Sequence, residues 1–420
     1  MSTINYRKRG DKWEYRFEIA TVNGQRKSFS KCGFRTKKEA MEAGVKAKAQ
    51  YDNAGSVFVP SEMSFADYLE YWFKNYVLLN CKYHTQEAYR VIIDLHLKPT
   101  LGNYRLKSLT PSILQEYVNN KYKNGGYKKN TLVNIMCVLS GSLKYAVHPA
   151  QLLKNNPASY LRYPKVETER SEVNRTVISS EDFNRMLKRF QGTPFYYSLM
   201  IGYYTGLRIG EVYGLTWDDI DLDNKTLTVN KIAYKRNQGL TEGKEEKSSW
   251  YFGSTKTKSS VRTIKIGSTL TEALRQYRKE QLQNELKYGE YYTVHYLANE
   301  ADESGNTIQR IIPVQKLIPV SLERANLVMV KENGEYSSTD SFKYAARVIH
   351  HELGIVKFNF HSLRHTHATI LIEAGANVKS VQERLGHNNI ETTLQTYVHN
   401  TEQMQETAVD IFENAVQNGK

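Results

Sequence analysis

Near the start of the chain, apolar residues alternate with polar ones. Trp13, Tyr15, Phe17 and Ile19 follow the two-residue period of a half-buried strand. Asn23-Gly24 is a hairpin signal, and Lys27 to Phe34 can return as further strand. Thr36-Lys-Lys-Glu39 then has capping-box spacing, which predicts a helix to about Asn53. The expectation is a three-stranded sheet with one helix over residues 1–55.

After a linker containing Pro60 the period becomes helical. Ser64-Phe-Ala-Asp67 has the form of a helix start, followed by Phe65, Tyr68, Leu69, Trp72 and Phe73 on one face. Tyr89, Ile92, Ile93 and Leu97 mark a second helix. Thr110-Pro111 places a cap before a first-turn proline, and Leu132 to Val147 carries a fourth apolar stripe. Lys121, Lys123, Lys128 and Lys129 surround a Gly125-Gly126 break, so a four-helix domain with a basic loop is expected over 63–165. Pro157, Pro164 and the charged run Glu167 to Arg175 form the next linker.

Helices resume at Ser179, interrupted by expected strands at Ile220–Leu222, Thr226–Ala233 and Val261–Ile266, with Asp223-Asn224-Lys225 as a turn. Arg236 to Ser254 suggests a long hairpin excursion, and Tyr288 to Gly305 a polar insertion. The nearly apolar run Phe195–Gly206 is too short for a membrane span, which requires about 18 residues. The whole chain therefore belongs to the α+β class, mainly α with small β elements, its last domain a mixed α/β unit over 176–420.

Charge narrows the function. The chain carries 58 Lys+Arg against 44 Asp+Glu, a net charge of +14 that favours a polyanion such as nucleic acid. Residues 1–55 hold 13 basic and 6 acidic residues, half of that surplus. Arg7, Lys8, Arg9, Lys12 and Arg16 are accordingly candidates for DNA contact, with Lys121, Lys123, Lys128, Lys129 and Lys258 further on. Early charges and the lack of a signal-peptide core predict a cytoplasmic protein with no membrane partner. Cys32, Cys81 and Cys137 are too scattered for a disulfide framework or cysteine zinc site and are expected to be buried reduced thiols.

Four clusters carry candidate chemistry: Thr205-Gly-Leu-Arg-Ile-Gly-Glu211, Ser254-Thr-Lys-Thr-Lys-Ser259, His361-Ser-Leu-Arg-His365, and Leu385-Gly-His-Asn-Asn-Ile-Glu-Thr-Thr-Leu-Gln-Thr-Tyr-Val398. In this order and spacing they resemble the tyrosine recombinases, the site-specific integrases of phages and conjugative transposons. The N-terminal modules resemble, by layout, the arm-type and core-type DNA-binding domains of lambda-type integrases. The resemblance implies cutting and rejoining of double-stranded DNA attachment sites through a 3′-phosphotyrosyl bond and a Holliday junction, without ATP. It implies a homotetramer on core-type and arm-type sites, with an excisionase and a DNA-bending accessory protein as partners.

Independent chemical reasoning meets this reading at two arginines. Metal-free attack on a phosphodiester requires positive charge at the non-bridging oxygens, and the planar forks of Arg208 and Arg364 suit that task. Glu211 shares a helix face with Arg208 and could hold it. His361, three residues before Arg364, is assigned proton transfer at the nucleophile by the family, a task suited to a group titrating near neutrality.

By the same resemblance Tyr397, ten residues after His387, is the nucleophile, and His387 donates a hydrogen bond to the scissile phosphate. The family's general acid aligns with Lys256, leaving Lys258 for the DNA backbone, although the sequence leaves the choice between these two lysines open.

Other readings fit less well. A metal site at His361, His365 and His367 lacks the glutamate of H-E-x-x-H, and places an arginine beside the dication. His365 and His367 are therefore expected to pack or hydrogen-bond, and no cofactor or metal is called for. A type IB topoisomerase has no use for an arm-binding domain, and a DNA-binding regulator that had lost catalysis should have lost an active-site position. Met404, Ala408, Ile411, Phe412 and Ala415 predict a tail helix, which in this family often packs on the next protomer.

Overall fold

The computed structural model describes residues 4–22, 25–54, 63–127, 129–162, 176–237, 248–255 and 260–386, together with Val409, Phe412, Glu413, Val416 and Gln417. The chain divides into two compact units, 1–168 and 169–420.

The first unit opens with strands β1 (Asn5–Arg9), β2 (Lys12–Val22) and β3 (Gln25–Phe34), joined in that order into an antiparallel sheet. Helix α1 (Lys37–Ala54) follows, capped where the Thr36 hydroxyl accepts the Glu39 N–H at 3.2 Å. Tyr15 and Phe17 are buried in the core of this element, as their alternation predicts. The turn at Asn23-Gly24 lies outside the described residues.

The four expected helices form around a separate core. Helix α2 (Phe65–Trp72) continues through a π turn (Phe73–Val77) into α3 (Leu78–Asn80). Helix α4 (Tyr83–Ile92) repeats the device, with a π turn (Ile93–Leu97) leading into α5 (Lys98–Leu101). Helices α6 (Pro111–Gly125) and α7 (Lys129–Val147) complete the bundle. Ser64 and Thr110 accept the N–H groups of Asp67 and Ile113, so both caps legible in the sequence are present. Phe65, Tyr68, Leu69, Trp72 and Phe73 are all buried, whereas in the second stripe Ile93 and Leu97 are buried and Tyr89 and Ile92 half-buried. The cysteine expectation fails: Cys32 and Cys137 are exposed and Cys81 is only partly covered. Cys137 sits in α7, where the burial is carried by neighbours such as Met136 and Val138, Cys32 sits in β3, none of whose described residues is buried, and Cys81 follows the end of α3.

The second unit begins with α8 (Ser180–Phe190), α9 (Pro194–Thr205) and α10 (Ile209–Tyr213). Strands β4 (Ile220–Asp221), β5 (Thr226–Val229) and β8 (Arg262–Lys265) form a small sheet in the order β4-β5-β8. Strands β6 (Lys231–Asn237) and β7 (Ser248–Ser254) form a hairpin in a second sheet with β9 (Thr293–Ala301), β10 (Thr307–Gln315) and β11 (Glu323–Arg324), ordered β11-β9-β10-β7-β6. Helix α11 (Ser268–Tyr288) precedes β9, and α12 (Thr339–His351), α13 (Phe360–Glu373) and α14 (Val378–Leu385) close the unit.

One expected strand is divided in the structure. The single strand Thr226–Ala233 is two strands in different sheets, divided at Asn230, whose amide donates to Asp219 Oδ1 at 3.0 Å. The adjacent Lys231 ammonium pairs with Asp219 and donates to Thr216 at 3.2 Å, so the break is pinned by polar bonds that an alternation pattern does not show. The insertion at Tyr288–Gly305 contributes β9, which pairs with β10 from Thr293 to Ala301. The apolar run beginning at Phe195 is α9, buried against the other helices; among the described residues no helix is long and apolar enough to cross a membrane.

Candidate active site

A tight corner in the backbone builds the site. Helix α9 ends at Gly206 in the left-handed region, φ 68°, where an added Cβ would lie 2.8 Å from Leu385 Cδ2 and 2.9 Å from His367 Cδ2. Only glycine meets both demands, since an L side chain is strained there and has no space. Two residues later Arg208 occupies the N-cap of α10, extended at φ −71° and ψ 152°.

Glu211, 2% exposed, organises that end of the helix. Its carboxylate accepts the Arg208 backbone N–H at 3.0 Å and Arg208 Nη1 at 2.8 Å. It also accepts Arg262 Nη2 at 2.9 Å and Nη1 at 3.3 Å. Burial works to raise the Glu211 pKa, but the hydrogen bonds and charge of Arg262 and the charge of Arg208 outweigh it, so the net shift is downward. The carboxylate stays ionised between two guanidinium groups.

Helix α13 supplies the other side. Asn359 caps it, accepting the Ser362 N–H at 3.1 Å while Ser362 accepts the Asn359 N–H at 3.2 Å. His361 and Arg364 lie one turn apart, but their environments differ. Arg364 is fully buried, with Nη1 donating to the Gly206 carbonyl at 2.9 Å and Nη2 to the Leu385 carbonyl at 2.7 Å. His361 is exposed, yet the desolvation of its ring by the protein around it, then the charges of Arg364 and Arg208, push its pKa below the ordinary 6.5. Both arginine charges therefore act on one imidazole, which favours its neutral, proton-accepting form.

His365 meets His361 edge to face, ring centroids 4.5 Å apart. His367 is hydrogen-bonded at both nitrogens: Nε2 accepts from Arg384 Nε at 3.0 Å, so Nδ1 carries the proton donated to the Tyr203 carbonyl at 2.9 Å. Burial and the Arg384 charge hold its pKa at about 4. His367 is thus a neutral structural group with no lone pair left for a metal.

Of the six expected active-site positions, Arg208, His361 and Arg364 converge here; Lys256, His387 and Tyr397 lie outside the described residues, as do Lys258 and Lys128. Sequence reasoning missed Arg262 and Arg384. Arg262 stands on β8 two residues from buried Ile264, on the inward side of the strand, and an arginine at an inward position was the available signal. Arg384 directly precedes the Leu-Gly-His motif and donates to the Lys265 carbonyl at 2.9 Å and the Tyr204 carbonyl at 3.2 Å.

Among the candidate DNA contacts of the sheet, Arg7, Lys8, Arg9, Lys12 and Arg16 are all exposed. Arg7 Nε and Arg9 Nε lie 2.8 and 3.0 Å from the carboxylate of buried Glu14, which fixes both side chains over the sheet. Lys123 and Lys129 are exposed, whereas Lys121 is half-buried, its ammonium 5.6 Å from the ring centres of Tyr117 and Tyr127.

Comparison with known proteins identifies the family of the chain. Residues 176–404, more than half of the chain, match the phage integrase family; 64–122 match its N-terminal SAM-like domain and 4–50 an arm DNA-binding domain. A XerC-like tyrosine recombinase of Caldanaerobacter subterraneus is 27% identical over 355 residues, 83% of this chain and 82% of the relative. The ICEBs1 integrase of Bacillus subtilis is 23% identical over 385 residues, 87% of this chain and 86% of the relative. The fold resembles that of the Tn1549 transposon integrase in complex with transposon right end DNA, with TM-score 0.60, 22% identity and coverage of 83% of this chain and 99% of that one. It also resembles a lambda integrase tetramer bound to a Holliday junction, with TM-score 0.52, 16% identity and coverage of 93% and 95%. The chain belongs to the phage integrase family and is a tyrosine recombinase, an enzyme that cleaves and rejoins DNA by transesterification.

Proposed function

We propose that Tyr397 is the nucleophile of this recombinase and that Arg208, Lys256, His361, Arg364 and His387 serve it at one scissile phosphate. The observation that carries the reading is the bond from buried Arg364 Nη1 to the Gly206 carbonyl, which ties the helix of His361 and Arg364 to the turn that precedes Arg208, so that both arginine charges act on His361. The Tyr397 phenol oxygen attacks phosphorus and its proton passes to His361. The bond from phosphorus to the 5′ oxygen breaks, and Lys256 protonates the departing oxygen. Arg208, its side chain 37% exposed, meets the non-bridging oxygens; buried Arg364 adds charge from within the protein, and His387 donates a further hydrogen bond. Attack by a second 5′-hydroxyl on the phosphotyrosyl bond releases the phenol and reseals the strand.

In this reading residues 1–55 bind arm-type DNA, 63–165 bind core-type DNA, and 176–420 carry the chemistry and the tail helix. Arg7, Lys8, Arg9, Lys12, Arg16, Lys121, Lys123, Lys128, Lys129 and Lys258 contact the backbone. Four copies act on two sites through a Holliday junction in the bacterial cytoplasm, with an excisionase and a DNA-bending protein as partners.

The test is a denaturing gel of wild-type protein and Tyr397→Phe with labelled DNA flanking the gene, in EDTA. A protein-linked DNA band in the wild type alone is expected. A band that persists in Tyr397→Phe assigns the wrong tyrosine. Native-gel binding without any covalent band favours a regulator instead.

A further inference from the structure

All three guanidinium nitrogens of Arg262 donate inside the protein. Nε donates to the Arg384 carbonyl at 2.7 Å, Nη1 to the Ser260 carbonyl at 2.9 Å and to Glu211 Oε1 at 3.3 Å, and Nη2 to Glu211 Oε2 at 2.9 Å. Its side chain is 7% exposed, against 37% for Arg208. With its nitrogens so engaged, Arg262 is poorly placed to be a third phosphate ligand.

Its contacts join three parts of the site. Through Glu211 it reaches the carboxylate that grips Arg208 by both backbone and side chain. Through the Arg384 carbonyl it holds the end of α14, three residues before His387; the neighbouring Leu385 carbonyl is held in the same way by Arg364. Its own strand, β8, begins six residues after Lys256. Gly386 closes over the fork with φ 68°, where an added Cβ would lie 3.0 Å from Arg262 Nη1.

We infer that Arg262 is a positioning residue for strand cleavage: it sets the Arg208 guanidinium through Glu211 and fixes the end of α14 against that pair through the Arg384 carbonyl. This rests on the function proposed above. The planar fork is essential to the role, because a lysine ammonium on a flexible stem does not span a carboxylate and a carbonyl in fixed directions.

The experiment compares cleavage of ordinary DNA with cleavage of DNA carrying a methylphosphonate at the scissile position, using full-length wild type, Arg208→Ala, Arg262→Gln and Arg262→Lys. The methyl group removes one non-bridging charge, so an arginine that serves that charge matters less. Each protein's ratio of the two rates is independent of how much of the preparation is folded. Arg208→Ala is expected to lower the ratio of phosphate to methylphosphonate cleavage relative to wild type. Arg262→Gln and Arg262→Lys should lower it in the same direction by about tenfold, a loss of transition-state stabilisation of about 1.4 kcal/mol. If Arg208→Ala shifts the ratio and both Arg262 variants lower the two rates by one common factor, Arg262 is structural and this inference fails alone. If Arg208→Ala leaves the ratio unchanged, the proposed site fails and this inference with it.

Discussion

Arg364 Nη1 lies 2.9 Å from the carbonyl of Gly206, so the buried guanidinium of α13 is bonded to the turn that aims Arg208. The geometry of two distant motifs depends on this one backbone carbonyl. Gly206→Ala puts a Cβ where Leu385 and His367 already stand, at a φ of 68°. A stability loss of about 1–3 kcal/mol is expected in urea unfolding, with a larger fractional loss of cleavage because the Gly206 carbonyl shifts. Unchanged stability and cleavage would contradict the role assigned to this turn.

Glu211→Gln keeps the shape of the side chain and removes its charge. Two guanidinium groups then share a neutral amide, with one buried charge uncompensated. Stability should fall by about 3 kcal/mol, the scale for breaking one partner of a buried pair. The pH dependence has a defined sign: the folded Glu211 pKa lies below its ordinary 4.5, so the contribution is present above that value and lost as pH falls through the folded one. Acid unfolding of the variant should accordingly show a shallower dependence in that range.

His295 and His367 are both held neutral, each at about 4 against 6.5 when unfolded, by burial first and then by Arg324 and Arg384 respectively. The unfolded chain takes up protons first, so stability is full above about 6.5 and is lost as pH falls toward about 4. The melting temperature of the full chain should drop between about pH 7 and pH 5, before most carboxylates titrate. A flat profile over that interval counts against buried neutral histidines.

Lys256 and Lys258 can be separated by the leaving group. DNA with a 5′-thiol leaving group needs no proton there, so Lys256→Ala should cleave it at the wild-type rate while losing activity on ordinary DNA. Lys258→Ala should lose both in proportion to weaker binding. The opposite assignment would exchange the two behaviours.

In the N-terminal sheet, Lys8 and Lys12 stand exposed beside the Arg7–Glu14–Arg9 cluster. Lys8→Ala and Lys12→Ala should each weaken arm-DNA binding about equally across sequences and reduce the salt slope by about 1. Glu14→Ala releases both arginines and is expected to alter sequence preference more than the salt slope, read by competition binding.

Local patterns carried much of the fold in the sequence. The caps at Ser64 and Thr110 and the buried stripe Phe65 to Phe73 are short-range features, since helix spacing and capping depend on residues within a turn of each other. The glutamate at position 211 was also legible, because it stands three residues from Arg208. Strand boundaries were less so: Asn230 divides β5 from β6 because of bonds to Asp219, eleven residues away, and the cysteines are uncovered because burial is decided by what packs over them.

By itself, then, the sequence determined the family, the order of the motifs and the identity of the residues that bear charge, because these reside in residue type and spacing. Only the tertiary structure decided that Arg262 completes the hold on Glu211, that His367 is neutral and fully bonded, and that Arg262 and Arg364 clamp the consecutive carbonyls of Arg384 and Leu385. Those relations span 51, 17, 122 and 21 residues of chain, and a hydrogen bond between groups so far apart exists only once packing has brought them within 3 Å.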